Sequence, residues 1–185
     1  MNGLQRYDGY GSKVYRNKPN DPNSIRSNRM YSLLLDSKGR LWVGTAGSGL
    51  YLYDYSRDRF IHVCPEPADS SRHQSQCVVD IKEDHSGDIW LAMMHPYDLV
   101  RVRVSEGAGS NSADSLTQSL HFRSFTVPGT PGDGWLTDVC ERKDGKILAA
   151  SLRGQIILDP ATGIVSRPLP QVDVSEILCP IHIGR

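Results

Sequence analysis

The sequence lacks any long hydrophobic run, because its apolar stretches are only a few residues long. A membrane-spanning helix within the chain is therefore not expected. The first ten residues contain neither a basic nor an apolar segment, so we expect no signal peptide in this segment. Lysine plus arginine number 21, as do aspartate plus glutamate, which leaves no overall field to attract nucleic acid. No direct nucleic-acid partner is expected.

Cysteine and metal-ligand motifs are scarce as well. The four cysteines lie far apart without a C-x-x-C pair, and the six histidines are not spaced as ligands. We therefore expect no metal site and no cofactor. No window combines a 3.6-residue apolar period with helix caps, so almost no helix is expected. With 38% hydrophobic and 23% charged residues, the composition is typical of a soluble globular domain.

The chain repeats one phrase three times, at residues 36–54, 84–102 and 143–159. When the glycines at 39, 87 and 145 are aligned, an alternating apolar stretch precedes each one, and a second stretch rich in branched and aromatic residues follows. Such alternation indicates half-buried strands, and glycine supplies the positive φ of a tight hairpin turn. Short strands repeated at roughly 50 residues are typical of β-propeller blades. The predicted fold is therefore all-β, built from four-stranded antiparallel meanders.

The aligned units divide the chain into five segments. Residues 1–24 are predicted to end a first blade, residues 25–65, 74–127 and 134–170 to form three blades, and residues 171–185 to begin another. The second blade carries a Ser/Gly/Asn-rich insertion at residues 105–119, interpreted as a solvated loop. About three to four blades make an incomplete propeller, because a ring typically needs four to eight. We expect the rest of the ring to come from a longer protein or, alternatively, from a second protomer.

Two recurring residue types have structural explanations. Asp36 and Asp84 lie in the repeated hairpin turns, where aspartate is expected to cap its own backbone rather than act as an acid or base. Trp42 and Trp90 occupy equivalent positions and are predicted to pack between blades rather than stack on a ligand.

Catalytic motifs are absent from the sequence. No Gly-x-Ser-x-Gly elbow opens a helix, and a propeller lyase or hydrolase would need a charged cluster at the channel mouth. The inner strands offer mainly Ser32, Asp80 and Asp138, which is weak support for catalysis. This segment is therefore predicted not to be an enzyme and to have no catalytic residues.

The loops joining the second strand to the third, and one blade to the next, lie on the same face of a propeller. Five residues there have the flat aromatic or planar hydrogen-bonding groups by which proteins hold sugars. These candidate ligand-binding residues are Arg29, His95, Tyr97, Trp135 and Arg153. Packing at the solvent edge is the alternative interpretation for Tyr97 and Trp135.

Residues 28–54 contain in order the segments DSKG, LWVGT and GLYLYD. This pattern resembles the two-component regulator propeller repeat, found in the sensor region of Bacteroides-type hybrid two-component histidine kinases, and the resemblance weakens after residue 65. It implies a periplasmic propeller that senses an oligosaccharide and regulates polysaccharide-utilisation genes. The parent protein would be a homodimer in the inner membrane, with its kinase domain outside this sequence. A structural or protein-interaction propeller with no small ligand is the alternative.

Overall fold

The structure is a computed structural model and describes residues 3–63, 76–95, 98–105, 113–127, 135–151 and 154–167. Within these ranges there are fourteen strands and one short helix. The strands form a two-stranded hairpin and three four-stranded sheets. The predicted all-β fold is thereby confirmed. In the described part of the chain, no helix is long and apolar enough to cross a membrane.

The strands follow one another along the chain in simple antiparallel meanders. The hairpin contains β1 (Leu4–Tyr7) and β2 (Ser12–Tyr15). The first sheet contains β3 (Met30–Leu35), β4 (Leu41–Thr45), β5 (Leu50–Asp54) and β6 (Arg59–Val63). The second contains β7 (Cys77–Glu83), β8 (Ile89–His95), β9 (Asp98–Val104) and β10 (Leu120–Thr126). The third contains β11 (Leu136–Glu141), β12 (Ile147–Ser151), β13 (Gly154–Leu158) and β14 (Val165–Ser166).

The turn between the first two strands of each sheet has the geometry that the sequence predicts. Gly39, Gly87 and Gly145 adopt φ values of 75°, 81° and 76°. Residues other than glycine are strained in this left-handed region, so the repeated glycine closes each hairpin at little conformational cost.

The hydrophobic core lies between neighbouring sheets. Trp42 on β4 is fully buried in a cluster with Ile81 and Leu91 of the second sheet. Trp90 on β8 is buried in the corresponding cluster with Val139 of the third sheet. The first and second sheets therefore each place their tryptophan against the next sheet, which confirms the predicted packing of these two residues between blades.

The first sheet has an exposed apolar face on its inner strand. Leu33 aligns with Ile81 and Val139, which are 2% and 1% exposed, whereas Leu33 is 52% exposed. The difference arises because Ile81 and Val139 each face the strands of a preceding sheet. Hairpin β1–β2 packs against the first sheet through Leu4 and Tyr15, in a cluster with Tyr53 and Phe60. The inner strands of one more blade would cover Leu33.

The insertion in the second blade departs from its interpretation as a solvated loop. A helix, α1 (Ala113–Gln118), lies within it and leads into β10. Leu116 packs against the core shared by the first and second sheets. Leu116 is partly buried in this long-range contact, which a Ser-rich stretch does not signal. The predicted start of another blade at residues 171–185 lies outside the described residues, and the division into five segments stays a prediction.

Candidate functional site

Strand register places Arg29, Trp135 and the backbone of His95 at one end of the sheets. Met30 pairs with Thr45, Cys77 with His95, and Leu136 with Ser151. The start of each inner strand therefore lies beside the end of its neighbour. We call this end the rim; among the described residues it is formed by those that directly precede β3, β7 and β11 and by the C-terminal ends of β4, β8 and β12.

Arg29 lies on the rim directly before β3, and its side chain is exposed. Its backbone N–H donates to Oγ of Ser27 at 3.1 Å, and its carbonyl accepts from the N–H of Ala46 at 3.0 Å. Ala46 follows β4, so these bonds fix the approach to β3 against the β4–β5 turn. The guanidinium is thus presented from an ordered backbone.

Trp135 lies at the equivalent place before β11 and is 45% exposed. The backbone of His95 ends β8 opposite Cys77, also on the rim. The side chain of His95, and the whole of Tyr97 and Arg153, lie outside the described residues. The structure therefore locates Arg29 and Trp135, while ligand binding by the five residues remains a prediction.

Gln76 is a rim residue that sequence reasoning missed. It precedes β7 as Arg29 precedes β3, but it is buried. Its carbonyl accepts from the N–H of Gly49 at 2.9 Å, which ties the first sheet to the second. Gly49 has a φ of 76°, and a Cβ there would lie 3.0 Å from Oε1 of Gln76. No apolar pattern marks Gln76, so the sequence offers no signal for this contact.

A polar column follows the inner strands below the rim. Ser32 pairs with Gly44, Asp80 with Ala92 and Asp138 with Ala150, each in the equivalent register position. Oδ2 of Asp80 and Oδ1 of Asp138 both accept from the backbone N–H of Val139, at 3.2 Å and 2.8 Å. Two carboxyl groups from neighbouring sheets therefore meet at one donor.

The surroundings of Asp80 favour its protonated form. Burial, followed by the hydrogen bond with Asp138, raises the pKa of Asp80 to about 6. The ammonium of Lys82, 3.7 Å from Oδ2 of Asp80, and the N–H of Val139 oppose this shift. Asp80 is therefore suited to holding a proton where the second and third sheets meet. No group of three or more metal-ligating side chains occurs among the residues that the structure describes.

Three four-stranded meanders packed face to face have the architecture of β-propeller blades. Residues 24–47 match the family model of the two component regulator propeller. This segment is therefore one such repeat, which confirms the resemblance seen in the sequence. No curated protein sequence matches the chain.

Solved structures share the fold. One, described as the extracellular domain of a hybrid two component system, BT4673 from B. thetaiotaomicron, gives a TM-score of 0.69 at 18% identity, over 96% of this chain and 21% of that one. The corresponding domain of BT3049 from the same organism gives a TM-score of 0.62 at 18% identity, over 89% of this chain and 20% of that one. Virginiamycin B lyase from Staphylococcus aureus gives a TM-score of 0.54 at 13% identity, over 84% of this chain and 44% of that one. At these identities the similarity shows the fold alone, and the chain spans about a fifth of the two extracellular domains.

Proposed function

We propose that the chain is part of the extracytoplasmic sensor region of a hybrid two-component system. In this role it responds to an oligosaccharide and regulates genes for polysaccharide use. The observation that carries the proposal is the two component regulator propeller repeat at residues 24–47, in a fold shared with extracellular domains of such systems. The proposal includes a periplasmic location for this segment and a homodimeric parent protein in the inner membrane.

The rim offers the chemistry that a sugar requires. The half-exposed indole of Trp135 presents a flat face for sugar C–H groups, and the exposed guanidinium of Arg29 presents hydrogen-bond donors for hydroxyls. His95, Tyr97 and Arg153 are the further candidates. A ligand held by several blades would favour one arrangement of those blades and so bias the signalling state of the parent protein.

The proposal gives this segment no catalytic step. The carboxyls of Asp80 and Asp138 both accept hydrogen bonds from the backbone N–H of Val139. These bonds give the two carboxyls a structural role, as a contact between neighbouring blades. Fold similarity does not decide the question, because virginiamycin B lyase shares the fold.

A glycan array followed by calorimetric titration tests the proposal. Trp135→Ala and Arg29→Ala are expected to weaken binding of the captured glycan by about tenfold each. Lys38→Ala is the matched control, since Lys38 is exposed in the β3–β4 turn at the opposite end of the sheet. The same variants, introduced into the native gene, should reduce induction of polysaccharide-utilisation genes by the glycan. Absence of any glycan binding together with unchanged induction would refute the proposal.

A structural or protein-interaction role without a small ligand is the second candidate. The exposed apolar face around Leu33 and Leu35 favours it, because such faces are covered by polypeptide in a stable assembly. This alternative predicts that Leu33→Asp abolishes function while Trp135→Ala leaves it intact. The sensor role predicts that Trp135→Ala is also harmful.

A further inference from the structure

Hairpin β1–β2 lies against the first sheet as the outer half of the first sheet lies against the second. The N–H of Gly3 donates to the carbonyl of Asn28 at 3.1 Å, and the N–H of Gly49 donates to the carbonyl of Gln76 at 2.9 Å. Each glycine has a positive φ and directly precedes a strand, β1 or β5. Asn28 and Gln76 are equivalent when the first two units are aligned. The hairpin therefore has the position of the third and fourth strands of a blade.

The inner half of the same face is open. Within the described residues β1 pairs with β2 alone, whereas its counterpart β5 pairs with both β4 and β6. Leu33 and Leu35 on β3 are 52% and 64% exposed. Met30, at the start of the same strand, packs against the cluster that the hairpin joins. The open apolar face thus continues directly from the contact between hairpin and sheet.

The hairpin limits what can cover this face. A four-stranded sheet, such as the third sheet of a second copy of the chain, would bring its own outer strands to the place that β1–β2 occupies. A two-stranded hairpin avoids this overlap, and its second strand can extend the sheet by hydrogen bonding to the edge of β1. A β-hairpin therefore fits, and a whole blade does not.

The two interfaces between the described sheets indicate the residues that such a hairpin needs. In both, the second strand of one sheet contributes a tryptophan to a cluster with the inner strand of the next. Trp42 clusters with Ile81, and Trp90 clusters with Val139. Leu33 is equivalent to these two inner-strand residues. We therefore expect a large aromatic residue on the second strand of the hairpin, against Leu33.

The turn of the hairpin should differ from the turns of the described sheets. Glu83 accepts from the N–H and Oγ of Ser37, in the turn of the preceding sheet, at 2.7 Å and 2.6 Å. Glu141 accepts from the N–H of His85, in the next turn, at 2.8 Å. Leu35 stands at the position of these glutamates and offers no side-chain acceptor. An apolar residue at the place of Ser37 would instead bury surface against Leu35.

We propose that the face around Leu33 and Leu35 binds a two-stranded β-hairpin of the parent protein. This hairpin pairs with the free edge of β1, and it carries an aromatic residue opposite Leu33 and an apolar turn residue opposite Leu35. The docking site rests on the proposed function only in that the chain is part of a larger protein. Of the two sources of the remaining ring that the sequence leaves open, it favours the longer protein over a second protomer.

A hairpin grafted onto the full chain tests the site. Residues 28–48 include the β3–β4 hairpin, and a duplicate of them is joined to Gly3 in place of residues 1–2. The junction reproduces a natural connection, because residue 48 precedes Gly49, the equivalent of Gly3. With Ser37→Leu in the graft, we expect amide hydrogen exchange in β1 to slow by about tenfold relative to the unextended chain. Unchanged exchange in β1 would overturn the proposal.

Variants of the graft separate the two expected contacts. Trp42→Ala within the graft should remove most of the protection of β1, and a graft that keeps Ser37 should protect β1 about threefold less than one with Ser37→Leu. Lys38→Ala within the graft is the matched control, since Lys38 is exposed in the original turn, and it should change nothing. Leu33→Asp in the chain itself should abolish protection by every graft. Equal protection by all grafts would contradict a specific site.

Sedimentation of the unextended chain distinguishes the hairpin from a second copy. We expect no dimer that forms through this face. A dimer that Leu33→Asp dissociates would show that a second copy covers the face, and it would overturn the proposal. Neither measurement uses a glycan, so failure of the graft and absence of glycan binding are separate outcomes.

Discussion

The indole N–H of Trp42 donates a 2.8 Å hydrogen bond to Oδ2 of Asp36, six residues earlier in the same hairpin. Oδ1 of the same carboxylate accepts from the backbone N–H groups of Lys38 and Arg40 at 3.0 Å and 2.9 Å. One buried aspartate therefore closes the turn and fixes the tryptophan that packs against the next sheet. The second unit repeats this bond between Trp90 and Asp84, also at 2.8 Å.

The third unit lacks both members of this pair. Arg142 stands where Asp36 would be, and Leu148 stands where Trp42 would be. Leucine needs no hydrogen-bond acceptor, so the loss of the carboxylate leaves no buried donor unsatisfied. The two positions behave as one unit: the aspartate is present where the tryptophan is present.

Removal of the Asp36 carboxylate should destabilise the first sheet. Asp36→Ala leaves the buried indole N–H of Trp42 and two backbone N–H groups without their acceptor, and we expect a loss of about 2 kcal/mol in the free energy of unfolding. Denaturant unfolding measures it. Asp144→Ala, in the more exposed turn of the third unit, is the control and should lose less than about 1 kcal/mol. Equal losses in both variants would show that the indole bond contributes nothing.

Asp58 lies in the β5–β6 turn, in a backbone conformation that usually favours glycine. It adopts a φ of 51°, whereas its counterpart in the third unit is Gly163, with a φ of 77°. Its carboxylate accepts hydrogen bonds from Lys13 and from the hydroxyls of Tyr15 and Tyr53. These donors, Lys13 foremost, hold the pKa of Asp58 well below its usual range. Hydrogen bonds to hairpin β1–β2 thus offset the strain of a non-glycine residue in this region.

Three substitutions separate the backbone of Asp58 from its side chain. Asp58→Ala keeps the strain and loses the hydrogen bonds, so we expect it to be the least stable. Asp58→Gly removes the strain and should be about 1 kcal/mol more stable than alanine. Asp58→Asn tolerates the positive φ and still accepts hydrogen bonds, so its loss should be smallest. Hydrogen exchange of the amides in β1–β2 is the readout, and unchanged protection in Asp58→Gly would disprove the link between hairpin and sheet.

The sequence predicts the framework better than the contacts that hold it together. The apolar alternation before Gly39 and the branched and aromatic residues after it predict the two strands of the hairpin. The partner of Gln76 depends on how two sheets meet, and no local pattern records it. The contact of Leu116 in helix α1 with a core formed by residues far away in sequence is likewise not recorded locally. Rim positions follow from strand register, whereas side-chain direction at those positions does not.

At the end of the sheets opposite the rim, neighbouring sheets are joined by a hydrogen-bonded contact that occurs twice. The second of these contacts includes a histidine, so its strength depends on pH. Glu83 accepts from the N–H and Oγ of Ser37 at 2.7 Å and 2.6 Å. In the next pair of sheets, Glu141 accepts from the N–H of His85 at 2.8 Å and contacts its Nδ1. The hydrogen bond and charge of Glu141 raise the pKa of His85 above its ordinary value of 6.5.

His85 therefore makes the contact between the second and third sheets weaken as pH rises. Its folded-state pKa is the higher one, so its contribution to stability is complete below about pH 6.5 and is lost as the pH passes through the folded-state value. An NMR titration should give an elevated pKa for His85 that falls in Glu141→Gln. His85→Ser copies Ser37 and should keep the contact without the pH dependence. A His85 pKa that is unchanged in Glu141→Gln would contradict this account.

Asp80 gives the inner strands a pH dependence in a more acidic window. The folded-state pKa of Asp80 is about 6, against an ordinary value of 3.8, so the folded state binds more protons between these values. The contribution of Asp80 to stability is therefore complete below about pH 4 and declines as the pH rises through about 6. Asp80→Asn keeps a neutral side chain in place, and the difference between wild-type and variant unfolding free energies should fall across this window.

Asp138→Asn removes the neighbouring charge and should lower the pKa of Asp80, as a carboxyl-specific NMR titration would detect. A wild-type minus Asp80→Asn difference that is flat between pH 4 and pH 7, or that rises, would show that the pKa of Asp80 is not raised in the folded state.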